Sequence, residues 1–157
     1  MSKKKISKRE IMPDLNYQST SVTKFIHQVM KKGKKSLAQK IVYECFNIIE
    51  KKEKKPAIEI FNQAIENTSP KVEVRAKRIG GATYQVPFPV NADRATTLAM
   101  RWIISAARKQ KGKTMKEKLS DQILDSFKDT GIAIKRKENT HRMAQANRAF
   151  AHFARSR

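Results

Sequence analysis

Hydrophobic residues recur at three- and four-residue intervals over most of this chain, which is the pattern of amphipathic helices. Between residues 19 and 30, for example, Val22, Phe25 and Ile26 share one face behind Ser and Thr caps. The pattern predicts six helices, over about residues 19–30, 36–50, 56–67, 91–109, 114–129 and 134–154. Short loops join them, so the predicted fold class is mainly α, a six-helix bundle-like domain.

One stretch, residues 72–90, has alternating rather than helical periodicity and contains Gly80 and Gly81. Two adjacent glycines tolerate the positive φ of a tight primed turn, so the stretch predicts a β-hairpin between the third and fourth helices. Closing the turn on the glycines places Pro87 and Pro89 at non-hydrogen-bonded positions, where the N–H that proline lacks is not needed. We therefore expect one protruding β-hairpin arm.

The first 18 residues differ from the rest, since they are basic and contain Pro13 and a polar run at 16–19. They predict a disordered basic N-terminal arm, residues 1–18, ahead of a single helical domain, residues 19–157. No repeat of 20–50 residues is present, which excludes a solenoid.

Net charge excludes more classes of function than any other property of the sequence. The 157 residues include 35 Lys and Arg against 14 Asp and Glu, a formal charge of +21 with a pI near 10.4. Such an excess destabilises a free compact chain and attracts nucleic acid or another polyanion, which favours a polyanion partner over a merely soluble basic enzyme. The apolar runs are too short for a membrane span, and the basic start lacks the apolar region of a secretory signal. The lone Cys45 allows no internal disulfide, so we expect an intracellular protein.

The positive charge falls in four segments: the N-terminal arm, the first hairpin strand, the fourth helix with the loop after it, and the KRK run at 135–137. Arg94, Arg101 and Arg108 are at heptad spacing and form a basic ridge on the fourth helix. Lys and Arg contact phosphates and release counterions. Several dispersed patches, rather than one recognition helix, favour folded RNA over DNA.

The side chains that carry catalysis or bind metals form no recognisable motif. The glycines match neither a phosphate-binding loop nor a dinucleotide fingerprint. The three histidines are not at metal-ligand spacing, and His141 and His152 share a helix face with Arg148, where they contact phosphate or solvent. Cys45 lies on an apolar stripe and is expected to be a small buried hydrophobe. The carboxylates are interpreted as surface residues, namely Glu44, Glu59, Glu66, Glu73 and Asp93. We therefore expect no enzyme activity, no metal and no cofactor.

Three aromatic residues have two interpretations each. Tyr84 and Phe88 on the arm can stack on bases or anchor the hairpin to the helices. The anchoring role is favoured for Phe88, and the two roles are balanced for Tyr84. Trp102 lies on the apolar stripe of the fourth helix, which favours a core residue over a stacking platform.

Three stretches are specific to one family: FIHQVMKKGKKSLAQKIVYECF at 25–46, KVEVRAKRIGGATYQVPFPV at 71–90 and KRKENTHRMAQANRAFAHFAR at 135–155. Together they resemble small-subunit ribosomal protein seven of the bacterial and organellar type, over nearly the whole chain. The resemblance implies a structural constituent of the small subunit. Such a protein binds the 3′ major domain of small-subunit rRNA, nucleates head assembly, and places its hairpin at the exit tRNA site and messenger path.

The resemblance also implies contact residues and partners. The residues expected to contact rRNA are Lys3, Lys4, Lys5, Lys8, Arg9, Lys34, Lys35, Arg75, Lys77, Arg78, Arg94, Arg101 and Arg108. The predicted RNA-binding set is completed by Lys111, Lys113, Arg142 and Arg148. Gly80, Gly81 and Tyr84 would lie at or near the tip facing tRNA and messenger. Neighbouring head and platform proteins are further expected partners, and no homo-oligomer or membrane partner is expected.

Two other functions remain open at this point. An architectural DNA-binding protein can embrace a minor groove with a β-arm, although such arms usually carry an apolar wedge where this one has two glycines. A small RNA-cleaving enzyme would need an acid and a base near a phosphate, such as His141 and His152. The expected location is the cytoplasmic ribosome of a bacterium, or the ribosome of a plastid or mitochondrion.

Overall fold

The computed structural model describes residues 10–154, and the described chain is mainly helical with one two-stranded antiparallel hairpin, as predicted. Its elements in chain order are α1 (Thr20–Val29), α2 (Lys35–Glu53), α3 (Ala57–Thr68), β1 (Val72–Ile79), β2 (Ala82–Pro89), α4 (Ala92–Lys109), α5 (Met115–Phe127), α6 (Gly131–Ala146) and a 3₁₀ helix (Arg148–Ala154). The first five helices lie within one or two residues of their predicted bounds at most ends, and the sixth differs. No helix in the described part of the chain has the length and apolarity of a membrane span.

The core forms where the apolar stripes of α1 to α5 meet. Phe25, Phe46 and Phe61, from α1, α2 and α3, are fully buried, with ring centroids 5.0 and 5.4 Å apart at the two contacts through Phe61. Trp102 is buried, as the core interpretation predicts. Cys45 is also buried, and burial raises the pKa of its thiol, which keeps it protonated and unreactive.

The hairpin has the predicted register, with Ile79 opposite Ala82 next to the turn. Gly80 and Gly81 have φ of +56° and +91°, the positive values that a primed turn requires. Because the turn contains two residues, every later pair is fixed, and the prolines fall at the positions that need no donor. Glu73, Arg75, Lys77, Tyr84, Val86 and Phe88 consequently share one face of the hairpin.

Two helix starts follow from capping residues in the sequence. The Asn91 side chain accepts a hydrogen bond from the Arg94 N–H at 3.0 Å and begins α4. At α5 the carboxylate of Glu117 accepts from the Thr114 N–H at 2.9 Å, the capping box that the sequence predicts. The Asn91 cap begins α4 directly after the hairpin, and the capping box begins α5 after the following loop.

The sixth helix differs from the prediction of one continuous helix over 134–154. It begins at Gly131, a residue that the sequence pattern assigned to the stop of α5, and it ends at Ala146. Asn147 ends it because its side-chain amide donates to the Met143 carbonyl at 2.8 Å. The tighter 3₁₀ helix that follows changes the side-chain period, so the predicted common face of His141, Arg148 and His152 does not continue across the break.

The sequence predicts a disordered arm over residues 1–18, but Asp14 and Tyr17 contact the helices, while the other side chains of residues 10–18 are exposed. Asp14 is buried, and its carboxylate accepts hydrogen bonds from the N–H groups of Asn16 and Tyr17 and from the Tyr43 hydroxyl, at 2.9–3.3 Å. An Asx turn followed by a contact with α2 holds this segment in place. The predictions for Lys3, Lys4, Lys5, Lys8 and Arg9 lie outside the described residues.

Candidate nucleic-acid interface

The basic ridge predicted on α4 is exposed, and its three arginines differ in their contacts. Arg94 binds Glu73 on β1, while Arg108 donates from Nη2 to the Val29 carbonyl at 3.2 Å. That carbonyl lies at the C-terminus of α1, where the helix dipole favours a cation. Arg101, between them, is exposed and makes no polar contact within residues 10–154. The ridge is therefore held at both ends and open to solvent in the middle.

Two depressions flank Arg108, and cations of other segments line them beside the ridge. A cleft of about 480 Å³ lies between α1 and α4 and is lined by Arg101, Arg108 and Lys109 among others. A second groove, of about 290 Å³, has an apolar floor, and Lys31 and Lys34 line its rim together with Arg108. The α1–α2 loop thus lies beside the end of α4, and the predicted residues of these two segments form one continuous cationic surface.

Lys34 and Lys35 take their positions from the loop backbone. Lys32 and Gly33 have φ of +52° and +74°, so the chain reverses sharply before α2 begins at Lys35. Both predicted lysines are exposed at this N-terminus.

Three carboxylates of α2 and α5 form ion pairs with lysines: Glu44 with Lys116, Glu53 with Lys128, and Asp121 with Lys52 and Lys113. Exposed pairs of this kind contribute little stability. They cancel charge locally, as the pair of Lys24 with Asp93 does between α1 and α4. Arg101 and Arg108, in contrast, bind no carboxylate among residues 10–154.

Lys113, one of the predicted RNA-binding residues, belongs to this paired group. Its Nζ lies 2.6 Å from Asp121, and this hydrogen bond raises the pKa of the lysine. Burial raises the pKa of Asp121, but hydrogen bonds from Lys113 and Lys52 outweigh it and leave that pKa below its usual value. Lys111, two residues earlier, is exposed and has no such partner among the described residues.

The hairpin contributes cations on both faces. Arg78 is exposed next to the turn, on the face opposite Arg75 and Lys77. Lys77 donates from Nζ to the Phe153 carbonyl at 2.8 Å. Arg75 binds Glu73, and its guanidinium lies 5.3 Å from the centre of the Phe88 ring. Phe88 is half-buried. Two of the three predicted hairpin cations are therefore anchored at defined positions, and Arg78 is free to reach outward.

Tyr84 packs against the 3₁₀ helix. Its ring lies 5.2 Å from Phe150 and 5.5 Å from Phe153, between centroids. Of the two roles considered for it, this contact corresponds to the anchoring one. The exposed end of the arm consists of Gly80, Gly81 and their neighbours.

The C-terminal cations Arg142 and Arg148 are exposed on α6 and the 3₁₀ helix. His141 is different: its Nε2 accepts a hydrogen bond from the Lys71 N–H at 3.1 Å and ties α6 to the base of the hairpin. Burial, with help from Lys137 and Lys71, lowers the pKa of this imidazole, so the neutral form that can accept is favoured.

Sequence reasoning missed one residue at this surface. Glu73 was interpreted as a surface carboxylate, but it is 7% exposed and lies between Arg75 and Arg94. Strand alternation places Glu73 on the same face as Arg75, which is a signal that the sequence contains. Its contact with Arg94 depends on how the hairpin is placed relative to α4, which no local pattern reveals. Within residues 10–154, no three His, Cys, Asp or Glu side chains are grouped closely enough to hold a metal ion.

Fold and surface together define a basic helical protein with a β-arm and an exposed cationic surface on α4 and the α1–α2 loop. The family model described as ribosomal protein S7p/S5e matches residues 1–148. The small ribosomal subunit protein uS7 of Chloroflexus aggregans is 54% identical over 150 residues, which cover 96% of each chain. The protein of the same name from Thermotoga neapolitana is 54% identical over 153 residues, 98% of this chain and 99% of the relative, and that from Fervidobacterium nodosum is 52% identical over the same length. The chain belongs to the ribosomal protein S7p/S5e family, which confirms the resemblance found in the sequence.

Proposed function

We propose that this chain binds rRNA directly as a structural component of the small ribosomal subunit. It contacts the 3′ major domain and nucleates assembly of the head. The observation that carries this proposal is family membership combined with a continuous, exposed cationic surface on α4 and the α1–α2 loop. Relatives more than half identical over their whole length bear the name of a small-subunit protein, which supports the same role here.

The work of this surface is electrostatic and geometric. Lys34, Arg101 and Arg108 would contact backbone phosphates on different sides of the two depressions, and each neutralised phosphate releases counterions. A rigid helical support fixes the distances between these cations, so a folded RNA of matching shape is favoured over a uniform polyanion. Lys35, Lys111, Arg142 and Arg148 would extend the contact at its edges, as would the basic residues of the N-terminal arm.

The hairpin would have a second role at the exit tRNA site and the messenger path. Its exposed end at Gly80 and Gly81 carries no bulky side chain, so a nucleic-acid backbone can approach closely. Tyr84, which packs against the 3₁₀ helix, would stiffen the arm rather than stack on a base. Neighbouring head and platform proteins would contact the hairpin and the C-terminal helices.

Catalysis forms no part of the proposal, since the named relatives are ribosomal proteins rather than enzymes. The named relatives are bacterial, which supports the cytoplasmic ribosome of a bacterium as the location. A ribosome of a plastid or mitochondrion is the other location that the sequence analysis considered. The protein would act as one copy bound to RNA, without a homo-oligomer.

Equilibrium titration of the full chain tests RNA binding. A 3′ major-domain rRNA fragment and a duplex DNA with the same number of phosphates are compared at two salt concentrations. Tight RNA binding that survives the higher salt while DNA binding is lost is the expected result, because shape-specific contacts add to counterion release. Equal affinity for both ligands, lost together as salt rises, would overturn the proposal and favour an architectural DNA-binding protein.

A shortened hairpin tests the second role separately. Removing Arg78, Ile79, Ala82 and Thr83 joins the paired residues Lys77 and Tyr84 through the same two glycines, so the turn type and the Tyr84 contact are retained. The shortened protein should bind the rRNA fragment with no more than the several-fold loss that the missing Arg78 contact causes, but small subunits that contain it should release exit-site tRNA at an altered rate. Unchanged tRNA release would remove the exit-site role and leave rRNA binding intact.

A further inference from the structure

Glu73 is a buried carboxylate in a chain with an excess of 21 positive charges. It lies on β1 at the base of the hairpin, on the face that Arg94 of α4 reaches with its side chain. Asp14 is the other buried carboxylate within residues 10–154, and it serves an Asx turn. Glu73 binds instead to two guanidinium groups that come from different elements.

Each carboxylate oxygen of Glu73 binds one arginine. Oε1 accepts from Nε of Arg75, on the same strand, and forms an ion pair with its Nη2. Oε2 accepts from Nε and Nη2 of Arg94, in the first turn of α4, at 3.3 and 3.2 Å. One carboxylate therefore holds both guanidiniums.

The arginines keep donors for a further ligand. A guanidinium has five N–H donors, and the contacts with Glu73 use the Nε–H and one from Nη2. The side chains of Arg75 and Arg94 remain 55% and 45% exposed. Arg75 also lies over the Phe88 ring, which fixes its plane. The exposed edges of both groups are therefore held in position without being occupied by contacts within residues 10–154.

We propose that Glu73 is a positioning residue that holds Arg75 and Arg94 as a preformed clamp for a backbone phosphate of RNA. The inference rests on the RNA binding proposed above and adds a residue that does not itself touch RNA. Planar guanidiniums bind phosphate through paired N–H groups, so their orientation decides the strength of the contact. The buried carboxylate supplies that orientation before RNA arrives.

Charge alone predicts the opposite effect for this residue. A carboxylate beside the binding surface repels phosphate, so its removal should tighten RNA binding if only net charge matters. If Glu73 orients the arginines, its removal should weaken binding despite the added positive charge. The sign of the change separates the two accounts.

Glu73→Gln is compared with Glu66→Gln, which makes the same charge change at an exposed position on α3. The 3′ major-domain rRNA fragment is the probe, and the full chain is used. We expect Glu73→Gln to weaken binding by about five- to tenfold, as for one loosened charge-assisted hydrogen bond, and Glu66→Gln to leave it unchanged or slightly tighter. The slope of log K against log salt should fall by about one for each phosphate that the Glu73 variant no longer neutralises. Binding by Glu73→Gln that equals or exceeds the wild type would overturn the inference.

A second pair of variants keeps the test decisive if Glu73→Gln does not fold. Arg94→Lys retains the charge but cannot bind the carboxylate with a planar pair of donors, whereas Arg101→Lys makes the same change at an arginine without a partner in the described chain. The Arg94 variant should lose several-fold more affinity than the Arg101 variant, and equal losses would overturn the inference.

If the wild type itself fails to select the RNA, the proposed function and this inference are both overturned. Selective wild-type binding with unaffected variants overturns the inference alone.

Discussion

The ring of Tyr84 on β2 lies 5.2 Å from the ring of Phe150 in the 3₁₀ helix. On the opposite strand Lys77 donates to the Phe153 carbonyl, so both strands of the hairpin are held by the same C-terminal turn. An isolated two-stranded hairpin is marginal in water. The arm therefore depends on this contact as well as on its base, which packs on α6 and is joined to α4 by the Glu73–Arg94 ion pair.

Removal of the Tyr84 ring should loosen the arm. Tyr84→Ala should lower the free energy of unfolding by about 1–2 kcal/mol, because a half-buried ring no longer packs against the aromatic rings of the 3₁₀ helix. Amide hydrogen exchange in β2 should accelerate in the same variant. Tyr84→Phe is the control, since it keeps the ring and should stay close to the wild type. If the two variants behave alike, the ring contact does not support the hairpin.

Asn67 joins the end of α3 to the end of α5. Its side-chain amide donates to the carbonyls of Ser126 and Phe127 at 3.1 and 3.0 Å. The Ser126 carbonyl also accepts from the Asp129 N–H, so the Phe127 carbonyl depends most on Asn67. Asn67→Ala should cost about 1–3 kcal/mol of stability because the Phe127 carbonyl loses its donor. Asn62→Ala, on the exposed side of the same helix, should change urea-induced unfolding little. Equal costs at the two positions would show that helix propensity, and not this cap, causes the loss.

Gly131 begins α6 with φ of +89°, and a Cβ at this position would lie 2.8 Å from the Cβ of Asp125. Gly131→Ala should therefore destabilise the protein by more than the roughly 1–2 kcal/mol that a positive φ costs a residue with a side chain. Gly33→Ala is the matched control, because Gly33 also has a positive φ, of +74°, but has open space around it. Thermal unfolding of both variants measures the difference, and a Gly33 variant as unstable as the Gly131 variant would contradict the clash.

His141 should make stability depend on pH. Burial, together with Lys137 and Lys71, lowers its pKa in the folded protein below the ordinary 6.5. The unfolded chain then binds more protons in this window, so the stabilising contribution is complete above about pH 6.5 and is lost as pH falls through the lowered pKa. Protonation of Nε2 also removes the acceptor for the Lys71 N–H.

The measurement is urea unfolding near neutral pH and about one pH unit below the ordinary histidine pKa. His141→Gln should show a smaller loss of stability between the two conditions than the wild type. His152→Gln, at an exposed position, should keep the wild-type difference. If His141→Gln keeps it too, the pH dependence comes from other groups.

Local patterns in the sequence determine much of this fold. The two-residue turn at Gly80 and Gly81 fixes every pair of the hairpin, and the prolines at 87 and 89 agree with it. Asn91 and the Thr114–Glu117 pair determine where α4 and α5 begin. These features were predictable because each depends on residues that are close in the chain.

The features that were missed depend on contacts between distant segments. Glu73 is buried where β1 packs on α6 and where Arg94 reaches across from α4, and Asp14 is buried where Tyr43 on α2 offers its hydroxyl. The break at Asn147 depends on a competing side-chain hydrogen bond that a periodic pattern does not reveal. The family resemblance named the cations but not their partners, so Lys113 could not be distinguished from Lys111.

Hydroxyl-radical footprinting of small-subunit rRNA, with and without the full chain, shows whether the protein binds the 3′ major domain. We expect backbone protections confined to that domain, with those near α4 reduced in a variant that replaces Arg101 and Arg108 with glutamine. A chain that protects no region more than an unrelated protein of equal charge does not bind this RNA specifically, and rRNA binding would then have to be abandoned as its function.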